Sequence, residues 1–164
     1  MRNTVHCKIN SMETCLGVRV EPSRIHWAVV EGSRQLPTLL AADDATAPVQ
    51  WEEAKALSWY RDRVLHIIGQ YHPDTVAVRY EEPKARSAGN ATKRRARIEG
   101  VVLEAADSKA LRIMTGALVT ISSNLNTKSA KNYLKQEDFR GLDWSKQNDY
   151  RREAIMVAVS ALER

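Results

Sequence analysis

Between Pro73 and Ala106 the chain reads PDTVAVRYEEPKARSAGNATKRRARIEGVVLEAA. A short apolar run, Val76 to Val78, breaks off into Arg79, Glu81 and Glu82. A loop containing Pro83, Gly89 and Asn90 follows. A helical pattern then opens on Lys93, Arg94, Arg95 and Arg97. Strand, charged strand end, loop and helix form a βα unit of an open α/β sheet, in which ligands bind at the carboxyl ends of the strands. From Lys84 to Arg97 there are six Lys or Arg (Lys84, Arg86, Lys93, Arg94, Arg95, Arg97) and no acid. A clustered basic patch suggests a polyanion partner.

The rest of the chain supplies the sheet around that unit. Leu16, Val18 and Val20 alternate with Gly17, Arg19 and Glu21, and Ile25, Trp27 and Val29 alternate again after a turn at Pro22–Ser23. Period-2 alternation on both sides of a turn predicts a hairpin. Leu36 to Leu40 reads as a third strand, which Pro37 confines to a sheet edge. Ala41 to Gln50 reads as a polar loop. Leu57, Tyr60, Val64, Ile67 and Tyr71 recur at helical spacing and predict a helix from about Trp51 to Tyr71. A second helix is expected from about Ala91 to Ser108, with Asn90 or Thr92 as its cap. ALVTIS, Ala117 to Ser122, reads as a further strand. A short helix near Thr127–Lys135 and an irregular stretch anchored by Phe139 and Trp144 precede a last helix, about Asp149 to Leu162. The expected order is β-β-β-α-β-α-β-α-α, an α/β fold whose mixed five-stranded sheet carries helices on both faces.

At 164 residues and 43% hydrophobic, the chain is expected to form one domain, residues 14–164, behind a polar leader, residues 1–13. No apolar run is long enough to span a bilayer, so no membrane contact is expected. The start of the chain has no apolar core of a secretory signal. Cys7 and Cys15 make no disulfide framework, and Cys15 is expected as a buried thiol. A reducing cytoplasm is the expected location.

Three stretches then resemble RuvC-type domains, the Holliday junction resolvase branch of the RNase H-like superfamily. Gly17 to Val30 is similar to that family's first hairpin, Pro73 to Arg79 to the strand that brings its catalytic Glu, and Ala154 to Ala158 to its Ala-rich last helix. The likeness covers about Cys15 to Leu162, and a small uncharacterised bacterial family shares the layout. The resemblance implies an RNase H-like fold, and phosphodiester cleavage by two metal ions held on three or four carboxylates. The chain departs from that pattern at the centre. Arg19 stands at the first-strand Asp position and Arg79 at the Glu position, while Glu153 falls at the final Asp position, one turn after Asp149 and Tyr150. Guanidinium groups are always charged and accept no hydrogen bond. A degenerate nuclease centre is therefore expected, with no cofactor and no metal site.

Strand alternation sharpens this expectation. Arg19 and Glu21 share a face, as do Arg79 and Glu81, so these four are expected to form one charge cluster. Arg86, Lys93, Arg94, Arg95 and Arg97, with Arg19 and Arg79, are the expected nucleic-acid contacts, to DNA rather than RNA. Cations at a helix start oppose the helix dipole, which favours a recruited phosphate over a merely solvated face. If the chain is instead an active nuclease, Mg²⁺ or Mn²⁺ would sit on displaced carboxylates: Glu21, Glu81 or Glu82, Asp149 or Glu153. A third reading is a protein-interaction subunit. The WYRDR run, Trp59 to Arg63, has the aromatic and Arg content of a homodimer or partner contact. His26 is expected at the rim or in the core.

Overall fold

The computed structural model describes residues 12–82 and 89–164. Cys7, Lys84 and Arg86 lie outside the described residues. Three antiparallel strands open the fold: β1 (Glu13–Glu21), β2 (Arg24–Gly32) and β3 (Pro37–Ala45). Helix α1 (Glu53–Tyr71) crosses to β4 (Thr75–Arg79), and α2 (Asn90–Asp107) crosses to β5 (Arg112–Gly116). Helix α3 (Leu118–Asn124), a 3₁₀ turn (Ala130–Lys135) and a small hairpin of β6 (Asp138–Phe139) and β7 (Leu142–Asp143) lead to α4 (Asp149–Ala161). The strand order is β3-β2-β1-β4-β5, with β4 and β5 parallel to β1. The expected mixed five-stranded sheet with helices on both faces is present. No described helix is long and apolar enough to cross a membrane.

Alternation along β1 sorts the two cores. Leu16, Val18 and Val20 pack with Val64 and Ile67 of α1 and Ile98 and Val102 of α2. Cys15 faces the other way, into a core of α4 side chains, Phe139 and Trp144. Burial pushes the Cys15 thiol up, leaving an inert buried group. Seven consecutive residues of α4, Ala154 to Ser160, are buried. This stretch of the helix is enclosed on all sides, and a Cβ built on Gly17 would lie 2.0 Å from the Ala154 carbonyl oxygen. The Asn148 side chain caps α4, accepting from the Arg151 N–H at 2.9 Å.

Several expectations are corrected. The fifth strand is Arg112–Gly116, and Leu118–Asn124 is helical. The β-branched run ALVTIS carries strand propensity, but parallel pairing with β4 is completed upstream, with Thr75 opposite Arg112 and Arg79 opposite Gly116. The Glu82 carboxylate then accepts from the Leu118 N–H at 2.7 Å and holds the first turn of α3. Strand β3 continues through Ala41–Ala45, where a polar loop was expected, because its outer residues pair with β2 at His26–Asp44 and Trp27–Asp43. Pro37 does lie on the edge strand. The residue preceding α2 is Gly89, and no side chain caps that helix. Strand β1 begins at Glu13, inside the expected leader.

Candidate functional site

Arg19 and Arg79 are register partners on the parallel pair β1 and β4, at the carboxyl ends of both strands. Position 19 follows Cys15 and Gly17 on the α4 side of the sheet, so its side chain meets α4. Both arginines are about 95% buried. One carboxylate oxygen, Oε2 of Glu153 on α4, lies 3.0 Å from Nε of Arg19 and 3.0 Å from Nε of Arg79. The N–H directions miss that oxygen, so charge rather than directed hydrogen bonding holds the three groups, and Nη1 of Arg79 is buried without a hydrogen-bond partner. Arg19 also donates to the Val20 carbonyl at 3.2 Å and to Oε1 of Glu81 at 3.3 Å. Nη2 of Arg79 is 3.7 Å from Oε1 of Glu82.

The lattice extends onto α2. Nη1 of Arg95 is 2.8 Å from Oε1 of Glu81, and its Nε is 3.8 Å from Oε1 of Glu99. Burial pushes the Glu99 carboxyl above its ordinary value, against the pull of Arg95. Burial likewise pushes the Arg79 guanidinium down, opposed chiefly by Glu153, while neighbouring Arg19 adds to the push. Three guanidiniums and four carboxylates thus interlock where the two parallel strands end.

Glu21 does not join them, contrary to expectation. Its Oε2 sits 2.6 Å from Nε2 of His26, whose Nδ1 is 2.7 Å from Oδ1 of Asp44. Each ring nitrogen of His26 thus has a carboxylate oxygen within hydrogen-bond distance. Tyr150 stacks on that ring at 4.9 Å, and Arg151 donates from Nε and Nη2 to the two oxygens of Asp44 at 2.8 and 2.9 Å. Burial pushes Asp44 up, but the bonds and charges of Arg151 and His26 outweigh it and hold the carboxyl below its ordinary 3.8. Because the folded value is depressed, the stabilisation is complete above pH 3.8 and is lost as pH falls through the lower folded value. Asp44→Asn is accordingly expected to cost about 2 kcal/mol at neutral pH. The gap to wild type should close in acid, as measured by denaturant unfolding across pH.

The remaining basic residues divide. Arg95 turns inward, into the lattice. Arg97 pairs with Glu53 at 2.7 Å, half-exposed. Lys93 and Arg94 are exposed and make no ion pair among the described residues. Asp149 lies exposed at the start of α4, without a hydrogen bond or ion pair among the described residues. Glu99, Asp44 and Arg151 were not anticipated. The Arg95–Glu99 spacing of four on α2 was the available signal for one of them.

No family model matches the sequence, and no curated protein does. Among solved structures, Thermus thermophilus RuvC in complex with a Holliday junction substrate superposes with a TM-score of 0.73 at 18% identity, covering 90% of this chain and 91% of that one. Thermus thermophilus RuvC by itself gives 0.74 at 16% identity, covering 90% and 92%. The fold is that of RuvC. The yeast mitochondrial Holliday junction resolvase follows at 0.58 and 10% identity, covering 89% of this chain and 76% of that one.

The two metal ions expected from the family resemblance of the sequence would fall at this end of the sheet, and the side chains that meet there do not fit them. A hard divalent cation needs several oxygen donors free to face it. Here Glu153 and Glu81 already face guanidiniums, and Arg19 and Arg79 hold the central positions. Among the described residues, no group of three or more His, Cys, Asp or Glu is placed to hold a metal ion.

Proposed function

We propose that this chain is a non-catalytic, DNA-binding or accessory protein built on the RuvC fold. The observation that carries the reading is the shared Glu153 contact of Arg19 and Arg79. Two fixed cations there do the charge balancing that two metal ions would otherwise do. With its carboxylates turned to guanidiniums, such a lattice offers no metal-held water as nucleophile, so hydrolysis is not expected.

Binding falls to the start of α2. Its first turn has no acidic residue and no side-chain cap, and the N–H groups and dipole of a helix start favour an anion. Lys93 and Arg94 supply uncompensated positive charge beside it, with Arg97 partly shared with Glu53. These contacts would grip phosphates without reading sequence. Arg19, Arg79 and Arg95 then act as scaffold rather than as phosphate ligands.

The test is binding to labelled linear and branched duplexes over a range of salt, with EDTA present. Affinity is expected to persist in EDTA and to fall as salt rises, with about 0.9 of logarithmic slope per phosphate engaged. Lys93→Ala and Arg94→Ala should each weaken every DNA alike and lower the slope by about 1. Absence of binding at every salt concentration would overturn the reading and favour a protein partner.

A further inference from the structure

We propose that a hollow beside the start of α2 receives an unpaired nucleobase, whose flanking phosphate lies on Lys93 and Arg94. This rests on the DNA-binding reading and narrows it to strands with at least one unstacked base. The hollow is a cavity of about 90 Å³ whose walls include Pro22, Ala47, Trp51, Leu57, Tyr60 and Ile98. It lies between the β1–β2 turn, the chain entering α1, and α2. A larger cleft, lined by Asn90, Lys93, Arg94 and Arg97, shares Pro22, Glu53 and Arg94 with it as walls.

The chemistry of the two halves is complementary to a nucleotide. A base has apolar faces and a polar edge, and it binds without sequence preference where aromatic and aliphatic walls sit beside positive charge. The hollow supplies the walls. Its shape is fixed in advance, because the Tyr60 hydroxyl donates to the Ser23 carbonyl at 2.6 Å and accepts from the Ala47 N–H at 3.2 Å. That bridge ties the β1–β2 turn to the chain before α1. At the lip, Glu53 is occupied by Arg97 at 2.7 Å, so it does not neutralise Lys93 or Arg94. Two uncompensated cations at the mouth of an aromatic-walled hollow match one phosphate and its base. An intact duplex presents phosphates alone and leaves the hollow unused.

The experiment compares the full chain's affinity for an intact duplex with that for the same duplex carrying a short oligothymidine gap. The gapped DNA is expected to bind about tenfold tighter, the size of a single stacking contact. Trp51→Ala removes a wall, and Ala56→Leu fills the hollow while keeping Trp51. Both should lower the gapped affinity to that of the intact duplex. Thermal melting checks that each variant is folded, and Ala56→Leu decides the matter if Trp51→Ala is not. Equal binding of the two DNAs by the wild-type chain would overturn the base site and leave the DNA-binding reading standing. A gap preference that survives Ala56→Leu would overturn it too, because the unpaired base would then be held elsewhere. Binding of neither DNA would overturn both readings.

Discussion

Glu153→Gln is expected to lower the melting temperature by roughly 6–20 °C, from about 3–5 kcal/mol of lost stability. The carboxylate is the counter-charge common to Arg19 and Arg79, and both of those side chains are about 95% buried. Removing one partner of a buried ion pair leaves the other in a poorly solvating interior, and here it leaves two like charges on adjacent strands with only the more exposed Glu81 and Glu82 to oppose them. Glutamine keeps the shape and one acceptor oxygen but no charge. The loss should therefore exceed that at the solvent-screened pair Arg61–Glu104, half-exposed on α1 and α2. Thermal unfolding of Glu153→Gln beside Glu104→Gln makes the comparison directly.

Gly17→Ala is expected to yield little folded protein, or a loss of roughly 3 kcal/mol or more. Its added carbon would sit 2.0 Å from the Ala154 carbonyl oxygen and 2.8 Å from the Ala158 Cβ. The first neighbour is backbone of the buried stretch Ala154–Ser160 of α4 and cannot turn aside. Strand β1 and helix α4 would have to part, and that contact is what brings Glu153 to Arg19. Solubility and melting temperature of the variant measure the effect. Gly69→Ala, with nothing within 4 Å of the added carbon, is the matched control and should not destabilise the fold.

The hairpin, the two long helices and the β4 strand were legible because each carries a full hydrophobic period. Strand β5 was not: Arg112, Ile113 and Thr115 are exposed on an edge, so the segment shows no alternation, whereas ALVTIS shows apolar β-branched residues that α3 uses otherwise. Strand β3 was cut short for a related reason. Its polar end, Asp43–Asp44, belongs to the sheet through partners distant in sequence, His26 and Arg151. At the candidate site, alternation along single strands brought Arg19, Arg79 and Glu81 together correctly. It could not tell that Glu21 would turn to His26, or that Glu99 on α2 would lean in, because both depend on how separate elements meet at the sheet's end.

The most direct measurement is a Mn²⁺ titration of the complex with a labelled four-way junction, first assembled in EDTA, reading strand cleavage and retention together. The lattice of Arg19, Arg79 and Glu153 predicts a complex that forms without metal and stays uncut as Mn²⁺ rises. Cleavage that appears with Mn²⁺ and disappears in Glu81→Gln would contradict it, and would mean that the carboxylates can leave their guanidinium partners to hold metal.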